Sequence, residues 1–462
     1  MRTLLALLLT TSCAGTGSQH HAPDVTSPEP ALTVEPIVVA PEAAIEIEIE
    51  IEDDNAVRSV RFLKTTVLRK APRNDADKVG IIRKGEYAGV QALAAGSGGC
   101  RAWIQIVPRG WACQNVLETS HDELVAESSS PTIASLIEHT DAARPLVPGV
   151  YGVVYRKDVQ AFDSRSDALA GTGRVLAGSN TVRASGVVSV EGKRYWQTTG
   201  GDLIDATAIA WISPSKFQGV ALEPTATLPA WVRSRSDQRK PIKLRATASA
   251  TGKVIGQLAP RTVVTILEQT EDGRFARINE TAWVARTDLR AATIAAPPAG
   301  TGSNEKWFDI DLDEQVLVAY EGERPVFATL VSTGKYGHST PTGITRVVSK
   351  HKTASMNNDK GDKYSVADVP WTMYYDGNYA LHTSYWHDGF GGVRSHGCVN
   401  LSPRDASLLY QWSSPDVPQG WITVYGDKDN PGSLVRTRSR KQPEPKFRGY
   451  ARAMTEQLVS SK

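Results

Sequence analysis

Apolar and polar residues alternate along this chain in short runs of period two, and glycine, proline or asparagine interrupts nearly every run. Such a rhythm predicts strands joined by tight turns, with little sustained helix. From about 57 to 120 the runs are Val67-Leu-Arg-Lys-Ala-Pro72, Val79-Gly-Ile-Ile-Arg-Lys-Gly85, the stretch at Val90, Trp103-Ile-Gln-Ile106 and Gly110-Trp111. Four or five short strands at this spacing describe a small barrel, assigned to 56–120. The rhythm returns at 230–291 in Ile242-Lys-Leu-Arg-Ala246, Val254-Ile-Gly-Gln-Leu258, Val263-Val-Thr-Ile266, Phe275-Ala-Arg-Ile278 and Ala282-Trp283-Val284, which predicts an internal repeat. Between the two copies, 148–222 carries aromatic-bearing strand patterns such as Tyr195-Trp-Gln-Thr198 and Ile209-Ala-Trp-Ile212 and reads as β-rich, open to being a divergent third copy.

Ala296-Pro-Pro-Ala-Gly-Thr-Gly-Ser303 marks a linker over 292–304, after which Trp307-Phe-Asp-Ile-Asp-Leu312, Val316-Leu-Val-Ala-Tyr320 and Pro325-Val-Phe-Ala-Thr-Leu-Val331 read as successive strands of a last domain, 305–427. Pro403-Arg-Asp-Ala-Ser-Leu-Leu-Tyr-Gln-Trp412 instead has helical spacing, with Asp405 near its start where the helix dipole favours an acid. Trp421-Ile-Thr-Val-Tyr425 closes the domain as a strand. Residues 428–462, with Arg436, Arg438, Arg440, Lys441, Lys446 and Arg448, read as a solvated basic tail able to meet anionic polymer or lipid.

At the other end, Met1-Arg-Thr-Leu-Leu-Ala-Leu-Leu-Leu-Thr-Thr-Ser-Cys13 has a positive start and a short apolar run, the pattern of a secretion signal rather than a permanent span. Leu9, Thr10, Thr11 and Ser12 form an imperfect lipoprotein box before Cys13, so lipidation of Cys13 is expected over plain secretion. The Pro-, Ala- and Glu-rich stretch 14–55 reads as a spacer; its Ile45-Glu-Ile-Glu-Ile-Glu-Ile-Glu52 alternation is also compatible with an edge strand.

Composition changes this picture little. With 462 residues, 40% hydrophobic and 22% charged, the chain has room for two to four ordinary globular domains. A formal net charge of +2 argues neither for nor against nucleic acid, but no basic stripe dominates the body of the chain, so polyanion binding is not its main business.

The chemistry concentrates in Tyr379 to Leu401, which holds His382, His387, His396 and the lone Cys398. A thiol attacks a carbonyl well only as the thiolate, so a catalytic cysteine needs an imidazole to take its proton and a setting that holds the anion. Asn378-Tyr-Ala-Leu-His382 alternates like a strand and places His382 at its end. Ser395-His-Gly-Cys-Val-Asn400 reads as a tight turn in which the Gly397 and Cys398 amides could converge on an oxyanion. A zinc site from Cys398, His382, His387 and His396 is the competing reading, weakened by the lack of paired metal-ligand spacing.

At these residues the sequence resembles the L,D-transpeptidases with a YkuD-type catalytic domain, whose mark is an upstream histidine followed by Ser/Thr-His-Gly-Cys, a hydrophobic residue and Asn or Arg. Ser332 to Gly343 is similar to the Thr-Pro-x-Gly turn of that family, and Tyr385-Trp386-His387 to its aromatic-rich loop. The two repeats resemble bacterial Src-homology-3-like domains. The expected fold is therefore mainly β: small Src-homology-3-like barrels, then a β-rich catalytic domain with a short helix after the cysteine.

The resemblance implies Cys398 as nucleophile, His382 as proton acceptor and donor, the Thr383 carbonyl as its orienting partner and His396 as the neighbour completing the catalytic set. Arg394, Ser395 and Asn400 would hold the substrate's carboxylate or amides, with Tyr385 and Trp386 as an apolar wall. The implied substrates are peptidoglycan stem peptides. The implied acceptors are an amine of another stem or a lysine of an outer-membrane protein, with no cofactor and no metal. The implied place is the periplasm, with a lipid anchor in the outer membrane. In that oxidising compartment Cys100 and Cys113 remain as a pair, on two strand-like runs around a turn, and are expected to form a disulfide; two separate buried thiols are the alternative.

Overall fold

The structure is a computed structural model. It describes residues 56–124, 131–138, 145–176, 179–224, 227–233, 240–358 and 364–453. The signal segment, Cys13 and the spacer with its Ile/Glu run lie outside the described residues. Among the described residues no helix is long and apolar enough to cross a membrane.

The described part is mainly β, and three small modules close in the same way. Each ends in strand, one 3₁₀ turn, strand: Trp111–Cys113, Gln114–Val116 and Leu117–Ser120 in the first, Leu203–Asp205, Ala206–Ala208 and Ile209–Trp211 in the second, Trp283–Ala285, Arg286–Asp288 and Leu289–Ala291 in the third. In each the final strand pairs antiparallel with the module's opening strand, Ser59–Phe62, Val150–Val154 and Ala230–Val232 respectively. The pairing gathers the inward alternate residues into small apolar cores, such as Val60, Phe62, Ile104 and Leu117 in the first. Cys100 and Cys113 are joined, their Cα atoms 5.5 Å apart.

The last domain is two sheets around one core. One sheet joins Val220–Ala221, Arg324–Leu330, Val316–Glu321, Lys306–Asp311, Leu434–Arg438 and Gly343–Arg346 in that order. The other runs Trp421–Tyr425, Ser349–Asn358, Tyr364–Asp376, Tyr379–Thr383, Val399–Leu401. Phe308, Leu317, Leu381, Val399, Leu409 and Trp412 fill the space between them with no exposed surface. The helix Pro403–Trp412 packs into this core; Ser402 caps it by accepting the Asp405 N–H, and proline opens its first turn.

The modules are built onto this domain through its sheet. Strand Lys78–Ile82 of the first module pairs with Trp421–Tyr425, and Gly80 lies so close beneath the Trp421 ring that a Cβ would stand 2.0 Å from it. From the second module, Ser179–Val190 pairs in parallel with the start of Tyr364–Asp376.

The described residues after 427 do not form a solvated tail. Leu434–Arg438 is an inner strand, parallel to Lys306–Asp311 and antiparallel to Gly343–Arg346. Its arginines are ion-pair partners rather than surface charge: Arg436 and Arg438 bond Asp309 at 2.7 and 2.9 Å, and Asp309 is 1% exposed. A buried carboxylate is tolerated only when so paired. Replacing Arg436 and Arg438 together with methionine is therefore expected to cost about 3–5 kcal/mol, the usual penalty for stranding a buried charge. Chemical denaturation measures it; an unchanged midpoint would mean the strand is dispensable.

Candidate active site

The site rests on one parallel pairing. Tyr379–Thr383 and Val399–Leu401 lie side by side with Leu381 opposite Val399 and His382 opposite Asn400. Side chains alternate across a strand, so Leu381 and Val399 enter the core while His382, Asn400 and, one step before the strand, Cys398 share the opposite face. Apolar alternation thus delivers the imidazole and the thiol to one surface from positions far apart in the chain.

His382 is 2% exposed, and its Nδ1–H donates to the Thr383 carbonyl at 2.9 Å. That bond selects the tautomer with Nε2 free of a proton and able to accept one. Burial drives its pKa down to about 4, against a small upward pull from the Thr383 carbonyl. Cys398 is partly exposed and unbridged. The protein packed around its sulfur pushes the thiol up to about 11, only partly offset by the Ala380 backbone N–H. The sequence reading asked for a positive setting that holds a resting thiolate. The structure supplies a crowded one, in which thiol and imidazole both rest neutral at physiological pH.

The turn before the cysteine is held by its own side chains. Ser395 is buried; its hydroxyl donates to the Cys398 carbonyl at 2.6 Å and accepts the Gly397 N–H at 3.0 Å. Ser395 is thus a shaper of the turn rather than a substrate ligand. The Gly397 amide is taken, which leaves the Cys398 N–H for the oxyanion role. Gly397 sits at φ +118°, and a Cβ there would stand 2.4 Å from the Tyr379 ring, so both backbone and space require glycine. Its carbonyl accepts the Thr340 hydroxyl at 2.8 Å, which ties the Thr-Pro-x-Gly turn to the cysteine turn.

The remaining residues form walls. His396 packs its ring between His338, 4.5 Å away, and Tyr364, 5.0 Å away. Trp386 stacks on His382 at 5.8 Å and stays partly exposed. Tyr385 is not a wall residue: it is 1% exposed, packs on Tyr151, and exchanges hydrogen bonds of 2.7 Å with Thr181 and the Ala367 carbonyl. Its role is to seat the second module. Asn400, expected to meet substrate, is 2% exposed and lies 2.9 Å from His387 Nε2. The Asn400 atom facing that nitrogen is the amide Nδ2, and the Gly389 N–H bonds His387 Nδ1 at 3.2 Å. Burial holds His387 near 3, neutral. Arg394 is exposed, its guanidinium lying against Gly389. Among the described residues no three His, Cys, Asp or Glu side chains converge as metal ligands would.

Sequence reasoning missed His338, Tyr364 and the anchoring of Asp388 by other modules. The first two lie outside the cysteine segment, and only the paired strands and turns carry them to it.

No curated protein matches the chain. Among solved structures it is similar to an L,D-transpeptidase from Stackebrandtia nassauensis, with 26% identity over 30% of this chain and 57% of that one and a TM-score of 0.22. A second is the catalytic domain of the E. faecium L,D-transpeptidase, with 23% identity, 29% and 98% covered and a TM-score of 0.23. A third is an L,D-transpeptidase from Mycobacterium smegmatis, with 20% identity, 37% and 80% covered and a TM-score of 0.23. This chain thus spans little over half of the first of these structures. Family models match at residues 240–290, a bacterial SH3 domain, and at 305–433, an L,D-transpeptidase catalytic domain. The chain accordingly carries a bacterial SH3 domain followed by a YkuD-type L,D-transpeptidase catalytic domain.

Proposed function

We propose that this protein is a cysteine-dependent L,D-transpeptidase that acts on peptidoglycan stem peptides. What carries the reading is the shared face of Cys398 and His382, with the Nδ1–H of His382 committed to the Thr383 carbonyl. As Cys398 sulfur attacks the carbonyl of the stem's third residue, its proton passes to His382 Nε2. The tetrahedral oxyanion faces the Cys398 N–H. Collapse breaks the bond to the terminal D-residue, whose nitrogen takes the proton back from His382, leaving a thioester on Cys398. An amine then gives its proton to Nε2, attacks the thioester and releases the thiol. A diaminopimelate amine as acceptor makes a 3–3 crosslink, and a lysine of an outer-membrane protein makes a tether.

The Cys100–Cys113 disulfide supports an oxidising compartment, and the proposed location is the periplasm, with Cys13 as lipid anchor. The wall substrate and the barrel modules fit that place. Water as acceptor would make the same site an L,D-carboxypeptidase, and a silent site would leave a wall-bound scaffold.

Incubation with a carbapenem is expected to add one drug mass to the intact chain, localised to Cys398 and absent from Cys398→Ala. No adduct on the wild type would favour the scaffold. Muropeptide analysis of wild-type and Cys398→Ala cells should show 3–3 crosslinks or protein-linked stems lost with the thiol; loss of tripeptides alone would mean hydrolysis. His382→Gln is expected to slow acylation about 10²–10⁴-fold, the usual contribution of a positioned base.

The pH dependence follows from the two neutral groups. Acylation should hold level between His382's value of about 4 and Cys398's value of about 11, and fall below the lower value as Nε2 is protonated. Stability has the same sign: His382 is lowered in the fold, so its contribution is present above the ordinary imidazole value and is lost as pH falls through about 4. Single-turnover acylation and thermal melting across pH test both, and an acylation rate that declines already at neutral pH would indicate a resting thiolate–imidazolium pair.

A further inference from the structure

The first and third modules can be compared turn by turn after their hairpin strands. In the first, Lys78–Ile82 is followed by Arg83-Lys84-Gly85-Glu86; the Glu86 N–H bonds the Arg83 carbonyl at 3.4 Å, and the Gly85 N–H bonds Phe62 in the opening strand at 2.7 Å. In the third, Val254–Leu258 is followed by Ala259-Pro260-Arg261-Thr262, and both bonds recur: Thr262 N–H to Ala259 at 3.2 Å, Arg261 N–H to Val232 at 2.8 Å. Arg261 therefore stands where the first module has Gly85. Both are left-handed, at φ +87° for Gly85 and +67° for Arg261. Glycine adopts that conformation without steric penalty, whereas an L side chain crowds the following carbonyl. An arginine here is unfavourable for the module's own backbone, and a strained residue directs attention to what its side chain does.

The side chain reaches out of the module into the loop before the cysteine. Arg261 Nη1 bonds Asp388 Oδ1 at 2.7 Å and Nη2 bonds the Asp388 carbonyl, while the guanidinium lies 5.3 Å over Phe217. Ser215 donates its hydroxyl to the same Asp388 carboxylate, Phe217 stacks on Phe390 at 6.1 Å, and Arg290 Nε bonds the Gly391 carbonyl at 2.8 Å. Asp388 is thus gripped by Arg261 and Ser215, both of which precede the catalytic domain in the chain, while Gly389 and Gly391 are also held from within that domain by the Ser332 hydroxyl and the Val331 carbonyl. Immediately before Asp388 stand His387, which faces Asn400, and Trp386, which stacks on the catalytic imidazole.

We propose that Arg261 is a positioning residue of the active site. By clamping Asp388, the bacterial SH3 domain holds the Trp386–His387 wall against His382 and Asn400 and so sets the alignment of imidazole and thiol. This rests on the assignment of Cys398 and His382 as the reacting pair, but not on the identity of substrate or acceptor. The module is a structural part of the catalytic site.

The test uses the full chain and a probe that needs no wall substrate: the rate of Cys398 alkylation by iodoacetamide against pH, with circular dichroism and melting as folding controls. Arg261→Gly installs the residue the first module has, so the fold should persist while alkylation at neutral pH falls about 10- to 100-fold, the scale expected when reacting groups lose alignment. The profile should reduce to the rise of an unassisted thiol at high pH. Asp388→Asn, which removes the ion pair at nearly constant size, should reproduce both changes, and Arg261→Lys should restore part of the rate. A folded Arg261→Gly or Asp388→Asn protein with the wild-type rate and profile would overturn the proposal. So would loss of folding in Arg261→Gly, since the residue would then be needed by the module itself. A wild type that alkylates normally yet forms no product from stem peptides would refute the functional reading and leave this one standing.

Discussion

Parallel pairing of Tyr379–Thr383 with Val399–Leu401 is the constraint on which the site depends. A one-residue slip would turn His382 and Cys398 into the core and bring Leu381 and Val399 to the surface, because side chains alternate across a strand. The register is held by the apolar residues that must stay inside: Leu381, Val399 and Leu401 are all fully buried. Catalytic geometry is in this sense a by-product of core packing. The turn feeding the second strand is equally determined, through Ser395 bonding on both sides of Gly397 and through Thr340.

Burial also decides the resting protonation of the pair. Removing water from around Cys398 and His382 disfavours both charged forms, and among the described residues only a single backbone hydrogen bond opposes this at each group. Thiol and imidazole are therefore both neutral at physiological pH. The single bond from His382 to the Thr383 carbonyl then matters beyond its strength, because it decides which ring nitrogen is available.

The modules bear on the site in different ways. The first extends the catalytic sheet at the Trp421 edge, the second is seated by Tyr385 and by pairing with the strand that carries Tyr364, and the third grips Asp388 and Gly391. Repeated barrels that look interchangeable in sequence thus meet the catalytic domain through different residues. The exchange of glycine for arginine at one equivalent turn position shows how little sequence change such a difference requires.

Sequence alone was sufficient for the β-rich class and for the helix Pro403–Trp412, because each is written in local periodicity. It misread Leu434–Arg438 as a solvated tail, since arginines look alike in sequence whether they face water or a buried Asp309. It placed Tyr385, Ser395 and Asn400 against substrate because nearness to the cysteine in the chain says nothing of what else each side chain touches. Only the folded chain decided those roles, and with them the neutral state of the reacting pair, because hydrogen-bond partners and desolvation are properties of groups brought together from distant positions.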